Sequence, residues 1–141
     1  METTVNSGMT VEKLEAYRGL TSEMKGLREQ IDSLYDTYRS PQLLMSDGGS
    51  HSMSASSPTE SAVAKILKLE KTYRKKHEEA VDLLAEVENW LSQVPDAEIR
   101  SICRHHYILN KSWAQTSAIV YGFPSYYNSR KRVMRYFGRE K

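Results

Sequence analysis

The sequence contains a single cysteine, Cys103, among its 141 residues. One thiol excludes an intramolecular disulfide and a zinc site built from four cysteines. Its neighbours Ile99 and Ile102 predict that Cys103 is a small buried side chain and not a reactive thiol.

Long hydrophobic runs and a leader-like segment are also missing. No apolar run approaches the roughly 20 residues that a membrane-spanning helix needs. The first nine residues lack the basic start and hydrophobic stretch typical of a signal peptide. Together with a mean hydropathy of −0.62, these absences lead us to expect a soluble cytoplasmic protein with no membrane partner.

Catalytic motifs are absent as well. The chain has no Gly-x-Ser-x-Gly sequence and no phosphate-binding loop. His105 and His106 are adjacent, so on a helix they point about 100° apart, unlike the i, i+4 pair of a metal site. We predict that the protein is not an enzyme and uses no cofactor, catalytic residue or metal. His105 is expected at the surface or against a phosphate, and His77 in solvent.

Two stretches carry apolar residues at alternating spacings of three and four, which is typical of coiled-coil helices. The first follows Thr10, a predicted N-cap, and the second begins with Ser57 to Glu60, a predicted capping box with Pro58 at the first helical position. Lys76 is the one polar residue in either seam. The seams are Tyr17, Leu20, Met24, Leu27, Ile31, Leu34, Tyr38 and Ala62, Ile66, Leu69, Tyr73, Lys76, Ala80, Leu83, Val87, Trp90, Val94.

These seams predict a long antiparallel coiled-coil hairpin, joined by a flexible Ser/Gly-rich loop at about residues 40–57. The seams must be buried by each other, by a second copy of the chain, or by both. We therefore expect residues 1–9 to be a disordered N-terminus and residues 10–95 to form the hairpin.

The charge is divided unevenly along the chain. Residues 96–141 contain nine Lys or Arg and three Asp or Glu, a net charge of +6, whereas residues 1–95 contain eleven and fifteen, a net charge of −4. A basic end of this kind is typical of a nucleic-acid contact. Its local signals predict three short helices, over residues 97–109, 113–121 and 125–137. Their predicted start and stop residues are Asp96, Ser112, Gly122, Ser125 and Gly138.

Three short helices with a Gly-containing turn predict an all-α protein that ends in a helix-turn-helix domain at residues 96–141. The inward residues are expected to be Trp113, Thr116, Ser117, Val120, Tyr126, Ser129, Val133, Tyr136 and Phe137. The opposite face of the last helix carries Asn128, Lys131, Arg132 and Arg135. Arg suits guanine, Asn suits adenine and Lys suits phosphate, and Ser125 with the free amides at the helix start can add a phosphate contact. We predict that these five residues bind DNA.

The chain also resembles a known family. Its Val94-Pro-Asp96, the stretches at 104–109 and 112–116, and the ending Arg130 to Phe137 resemble phage transcriptional regulators of the ArpU and RinA type. The same end is similar to region four, the promoter-reading domain of bacterial sigma factors. Tyr35 to Pro41, the Ser/Gly-rich loop and the Pro-Thr-Glu helix start match the same regulators. The pair Thr116-Ser117 departs from the Ile-Ala that is common in them.

The resemblance implies a sequence-specific regulator that binds double-stranded DNA in the host-cell cytoplasm. Host RNA polymerase and a second copy of the chain are candidate partners. Two alternatives remain open. A small terminase-like DNA-packaging protein would form a ring-shaped oligomer, and a coiled-coil adaptor would fail to bind DNA even at low salt.

Overall fold

The structure, a computed structural model, describes residues 8–39 and 58–139. These ranges contain only helices, turns and irregular segments, with no strand. This confirms the predicted all-α class, in which two long helices form a hairpin and shorter helices follow. The helices are α1 (Val11–Arg39), α2 (Pro58–Leu91), α3 (Ala97–Cys103), α4 (Trp113–Tyr121) and α5 (Tyr126–Tyr136). Residues 1–7, the predicted loop and Ser57 of the predicted capping box lie outside the described residues.

Helix α1 begins at the predicted N-cap. The Thr10 hydroxyl accepts a hydrogen bond from the Lys13 amide at 3.1 Å. Met9, which we expected to be disordered, is only 4 % exposed and belongs to the same core cluster as Leu14. Met9 precedes the N-cap and Leu14 is the fourth helical residue, the two positions of a hydrophobic staple. The residues around Met9 are mostly polar, so no pattern in the sequence indicates that its side chain is buried.

The predicted seams are the inward faces of both long helices. Ile31 of α1 and Val87 of α2 are fully buried, and every other seam residue is buried or half-buried. Leu67, which lies off the seam, is 59 % exposed. Lys76, the polar seam residue, is half-buried and places its Nζ 3.5 Å from a carboxylate oxygen of Glu23. The period of three and four therefore identified the packed faces.

The contacts divide the chain into two compact units. One is Met1–Ser22 with Glu79–Lys141, and the other is Glu23–Glu78. The predicted division at residue 95 followed the order of the elements along the chain. The contacts instead group the ends of both long helices with the three short ones, and the domain boundaries stay a prediction.

Polar and aromatic contacts also link α1 and α2 within the unit Glu23–Glu78. The Tyr35 hydroxyl donates to a carboxylate oxygen of Glu70 at 3.2 Å. The Arg28 guanidinium lies over the Tyr73 ring, 5.7 Å from its centroid, and that ring stacks on His77 at 6.3 Å. His77 is exposed, as predicted. Since polar contacts near the surface contribute little, burial of the apolar seam is the main source of stability here.

The other unit has a core to which all five helices contribute. Ile99, Ile102 and Cys103 of α3 are 0 % exposed, and burial raises the pKa of the Cys103 thiol to about 12. This confirms the predicted burial of the thiol. Trp90 of α2 packs against Phe137 beyond α5, with ring centroids 5.5 Å apart.

The predicted helix over residues 97–109 is an α-helix only as far as Cys103. Residues Arg104–Ile108 form a π-helix, in which the Leu109 amide donates to the Arg104 carbonyl at 2.8 Å. Asn110 then adopts a left-handed φ of 63° and ends the segment. His106 and Tyr107 are buried four residues after the buried Ile102 and Cys103, so the inner face of α3 continues through the π-helix.

His106 joins α1 to the C-terminal helices, which we had not predicted. Its Nδ1 donates to the Lys111 carbonyl at 2.7 Å, and its ring stacks on Trp113 with centroids 3.5 Å apart. Arg18 of α1 donates to the His106 carbonyl at 3.0 Å. Burial, aided by the charge of Arg18, lowers the pKa of His106 to about 4. His105, expected at the surface, is half-buried.

We expect Ile31→Asp to place a charge in the seam and to lower the free energy of unfolding by about 3 kcal/mol or more. Leu67→Asp introduces the same side chain at a 59 % exposed position and should cost about 0.5 kcal/mol. Thermal melting followed by far-ultraviolet circular dichroism measures both. Equal melting of the parent and Ile31→Asp would contradict burial of this seam.

We expect His106 to make stability depend on pH. Because its pKa falls from 6.5 to about 4 on folding, the unfolded chain binds the proton more readily. The stabilisation is complete above pH 6.5 and is lost as the pH falls toward 4. The loss between pH 7 and pH 5 should be about 1 to 2 kcal/mol. Urea unfolding at both pH values measures this loss of free energy, which His106→Phe should not show. An identical pH dependence in parent and variant would refute the assignment.

Candidate nucleic-acid interface

Caps define both helices of the predicted helix-turn-helix. The Ser112 hydroxyl accepts from the Gln115 amide at 3.0 Å, and the Gln115 side chain accepts from the Ser112 amide at 2.9 Å. Gly122, with φ 92°, ends α4. Ser125 then caps α5 by accepting from the Asn128 amide at 3.1 Å. The predicted start at Ser112, the turn glycine Gly122 and the second start at Ser125 are confirmed.

Two buried serines join α4 to α5. The Ser117 hydroxyl donates to the Ser129 hydroxyl at 2.8 Å, and the Ser129 hydroxyl donates to the Trp113 carbonyl at 3.1 Å. Both serines are 0 % exposed. Small side chains at both positions let the helices approach closely, and the hydrogen bonds satisfy the buried hydroxyls. Thr116 is also buried, as predicted.

The inner face of α5 differs from the prediction at two residues. Val133 is 0 % exposed, as expected, but Met134 is buried as well, at 6 %. Tyr126 is 53 % exposed, so its predicted inward position is wrong. It lies on the same stripe as Ser129, three residues earlier. At the first residue of the helix, however, it lines an open depression beside Trp113 instead of filling the core.

The predicted DNA-binding face of α5 is a single surface. A shallow concavity of about 230 Å³ is lined by Tyr121, Asn128, Lys131, Arg132 and Arg135. The structure thus brings together four of the five predicted site residues. The fifth, Ser125, lies at the start of the same helix as its cap. Of the four, three are exposed, whereas Arg132 is half-buried.

Arg132 is held by carboxylates of the protein itself. Its guanidinium contacts a carboxylate oxygen of Asp96, and its Nε lies 3.3 Å from a carboxylate oxygen of Glu98. The Tyr121 hydroxyl donates to the same Glu98 oxygen. The other Asp96 oxygen caps α3 by accepting from the Glu98 and Ile99 amides at 2.9 and 3.2 Å. Arg132 therefore ties α5 to the first turn of α3.

The protonation states fit this network. Partial burial raises the pKa of Asp96, but the Ile99 amide and the Arg132 charge outweigh burial, so the pKa lies below its usual value. Burial and the hydrogen bond to Glu98 raise the pKa of Tyr121 to about 12, which keeps its hydroxyl protonated as a donor. The charge of Arg132 is thus balanced within the fold, and Lys131 and Arg135 are the exposed cations of the concavity.

Aromatic side chains next to this face were missing from the predicted site. Phe123 and Tyr126 are each 53 % exposed, and Tyr127 is 66 % exposed. The sequence signal for them is two consecutive tyrosines at the start of a basic helix. Periodicity assigned the first tyrosine to the core and gave the second no role.

Comparison of the chain with family models, curated proteins and solved structures found no match. Within residues 8–39 and 58–139, no helix is long and apolar enough to cross a membrane. The same residues contain no group of three or more His, Cys, Asp or Glu side chains placed to hold a metal ion.

We expect Arg132→Gln to destabilise the protein, because Asp96 and Glu98 lose the cation between them. Lys131→Gln removes the same charge from the neighbouring exposed position and should leave the urea midpoint almost unchanged. Asp96 has a lowered pKa, so its contribution is present above its ordinary pKa near 4 and is lost as the pH falls through the lowered value. The Arg132→Gln deficit at pH 7 should shrink at pH 3. Equal midpoints for the two variants at pH 7 would rule out a supporting role for Arg132.

Proposed function

We propose that the chain binds double-stranded DNA through the exposed face of α5 and regulates transcription, like the phage regulators that its sequence resembles. The observation that carries this proposal is the convergence of Asn128, Lys131 and Arg135 in one concavity. They lie on a helix whose opposite face is fixed by Ser129 and Val133 in the core.

The dimensions of α5 suit a major groove. Its 11 residues span about 16 Å at 1.5 Å per residue, and a groove about 12 Å wide admits one helix. Base recognition also requires side chains held in a fixed position. The Ser125 cap and the Ser117 to Ser129 hydrogen bond provide that rigidity at the start and the middle of α5.

The residue types indicate separate roles. Lys131 carries a mobile point charge that suits phosphate, whereas the Asn128 amide can donate to and accept from one adenine edge. Arg135 suits guanine or phosphate. Ser125 accepts from the Asn128 amide, which leaves its hydroxyl proton for a phosphate oxygen. We assign Arg132 a positioning role, because its guanidinium already contacts two carboxylates.

The electrostatics also favour a polyanion. Residues 96–141 carry a net charge of +6. Asp96 and Glu98 are paired with Arg132, which lines the concavity. Pairing reduces their repulsion of phosphate, so Lys131 and Arg135 can act on an approaching duplex. The hairpin is the candidate contact surface for a second copy of the chain or for host RNA polymerase.

The test is a fluorescence-anisotropy titration against a duplex selected from a random pool and against its scrambled version, at two salt concentrations. We expect Lys131→Ala to weaken binding to both duplexes and to lower the slope of log affinity against log salt by about 1. Lys71→Ala removes the same charge from an exposed position on α2 and should leave the slope unchanged. Asn128→Ala should cost about 1 to 3 kcal/mol on the selected duplex alone.

Parental binding by both Lys131→Ala and Asn128→Ala would exclude α5 as the interface. Absence of DNA binding at low salt would favour the coiled-coil adaptor. A ring-shaped oligomer in solution-mass measurements would favour the DNA-packaging protein.

A further inference from the structure

Exposed aromatic side chains surround the start of α5. Phe123 in the turn and Tyr126 on the helix are each 53 % exposed, and Tyr127 is 66 % exposed. The rings of Tyr126 and Tyr127 meet edge to face with centroids 5.1 Å apart. Clustered aromatic residues that remain in water are typical of a surface that contacts a ligand. The ring-to-ring contact also restricts the positions that Tyr127 can adopt.

Tyr127 belongs to the same row of the helix as the exposed cations. Positions 127, 131 and 135 are spaced i, i+4, i+8, so Tyr127, Lys131 and Arg135 follow one another along one side of α5. The row begins with an apolar ring and continues with two positive charges. A partner that matches this order presents an apolar group near the helix start and negative charge along the rest. A DNA duplex has both, in its base edges and its phosphates.

One base contributes the apolar group. In the major groove every base presents hydrogen-bonding groups, but thymine alone also carries a methyl group, at C5. The first residues of a recognition helix are those that contact base edges. In α5 these residues are Tyr126 and Tyr127.

We infer that Tyr127, supported by its contact with the Tyr126 ring, contacts thymine methyl groups in the major groove, so that the protein selects thymine by apolar contact. This inference rests on the proposed function, since it names a base that the same interface reads. It adds a second kind of recognition to the hydrogen bonds assigned to Asn128.

The test replaces thymine by deoxyuridine, one position at a time, in the duplex selected above. This change removes a methyl group and preserves base pairing. We expect the intact protein to bind about threefold to fivefold more weakly at each contacted position, the effect of one buried methyl group. Positions outside the contact should show no change.

Variants connect this effect to the ring. Tyr127→Ala should bind the thymine and deoxyuridine duplexes equally, whereas Tyr127→Phe keeps the ring and should keep the discrimination. Leu67→Ala truncates an apolar residue of similar exposure on α2 and should discriminate like the parent. Circular dichroism melting checks that each variant is folded. The comparison of thymine and deoxyuridine duplexes with the parent protein tests the inference even if a variant does not fold.

The outcomes separate this inference from the proposed function. Duplex binding with no thymine preference, or unchanged discrimination in Tyr127→Ala, overturns the inference and leaves DNA binding by α5 intact. Tighter binding to the single strand than to the duplex also overturns it, because the ring would then stack on unpaired bases. Failure to bind any duplex defeats both proposals.

Discussion

Helices α3, α4 and α5 have 7, 9 and 11 residues, and burial of Leu14 and Trp90 from the two long helices completes their core. Short helices are marginal in water unless tertiary packing covers their apolar faces. Trp90 packs on Phe137, and Arg18 donates to the His106 carbonyl. The candidate interface therefore depends on side chains that precede it by many residues in the chain. Substitution of Leu14, Arg18 or Trp90 should therefore affect the packing of α5.

Local signals predicted much of this fold. Hydroxyl and carboxylate caps at Thr10, Asp96, Ser112 and Ser125 act within three residues, so their patterns are visible in the sequence. The period of three and four likewise depends on the turn of the helix alone, and it identified the seams. The burial of Met9 was missed because one apolar residue among polar neighbours forms no period.

Signals that depend on distant partners were beyond sequence patterns. Arg132 contacts Asp96, which is 36 residues away, and nothing in the motif around Arg132 indicates that its charge is balanced. His106 contacts Arg18 of α1, which is 88 residues away and which no local pattern indicates. Tyr126 has the spacing of the inward residues of α5, but it lies beyond the end of the core and is exposed. Thus the outer face of α5 was predicted by residue type, whereas the division between supporting and exposed residues required the three-dimensional contacts.

The serine pair between α4 and α5 has an evolutionary consequence. Ser117 and Ser129 are fully buried and hydrogen-bond to each other between the two helices. Any larger side chain there would push the helices apart, so these positions tolerate little change. Asn128 and Lys131 on the opposite face have no such constraint. A lineage of such proteins could therefore acquire new binding preferences by substitution on the outer face while the inner face, and with it the fold, stays constant.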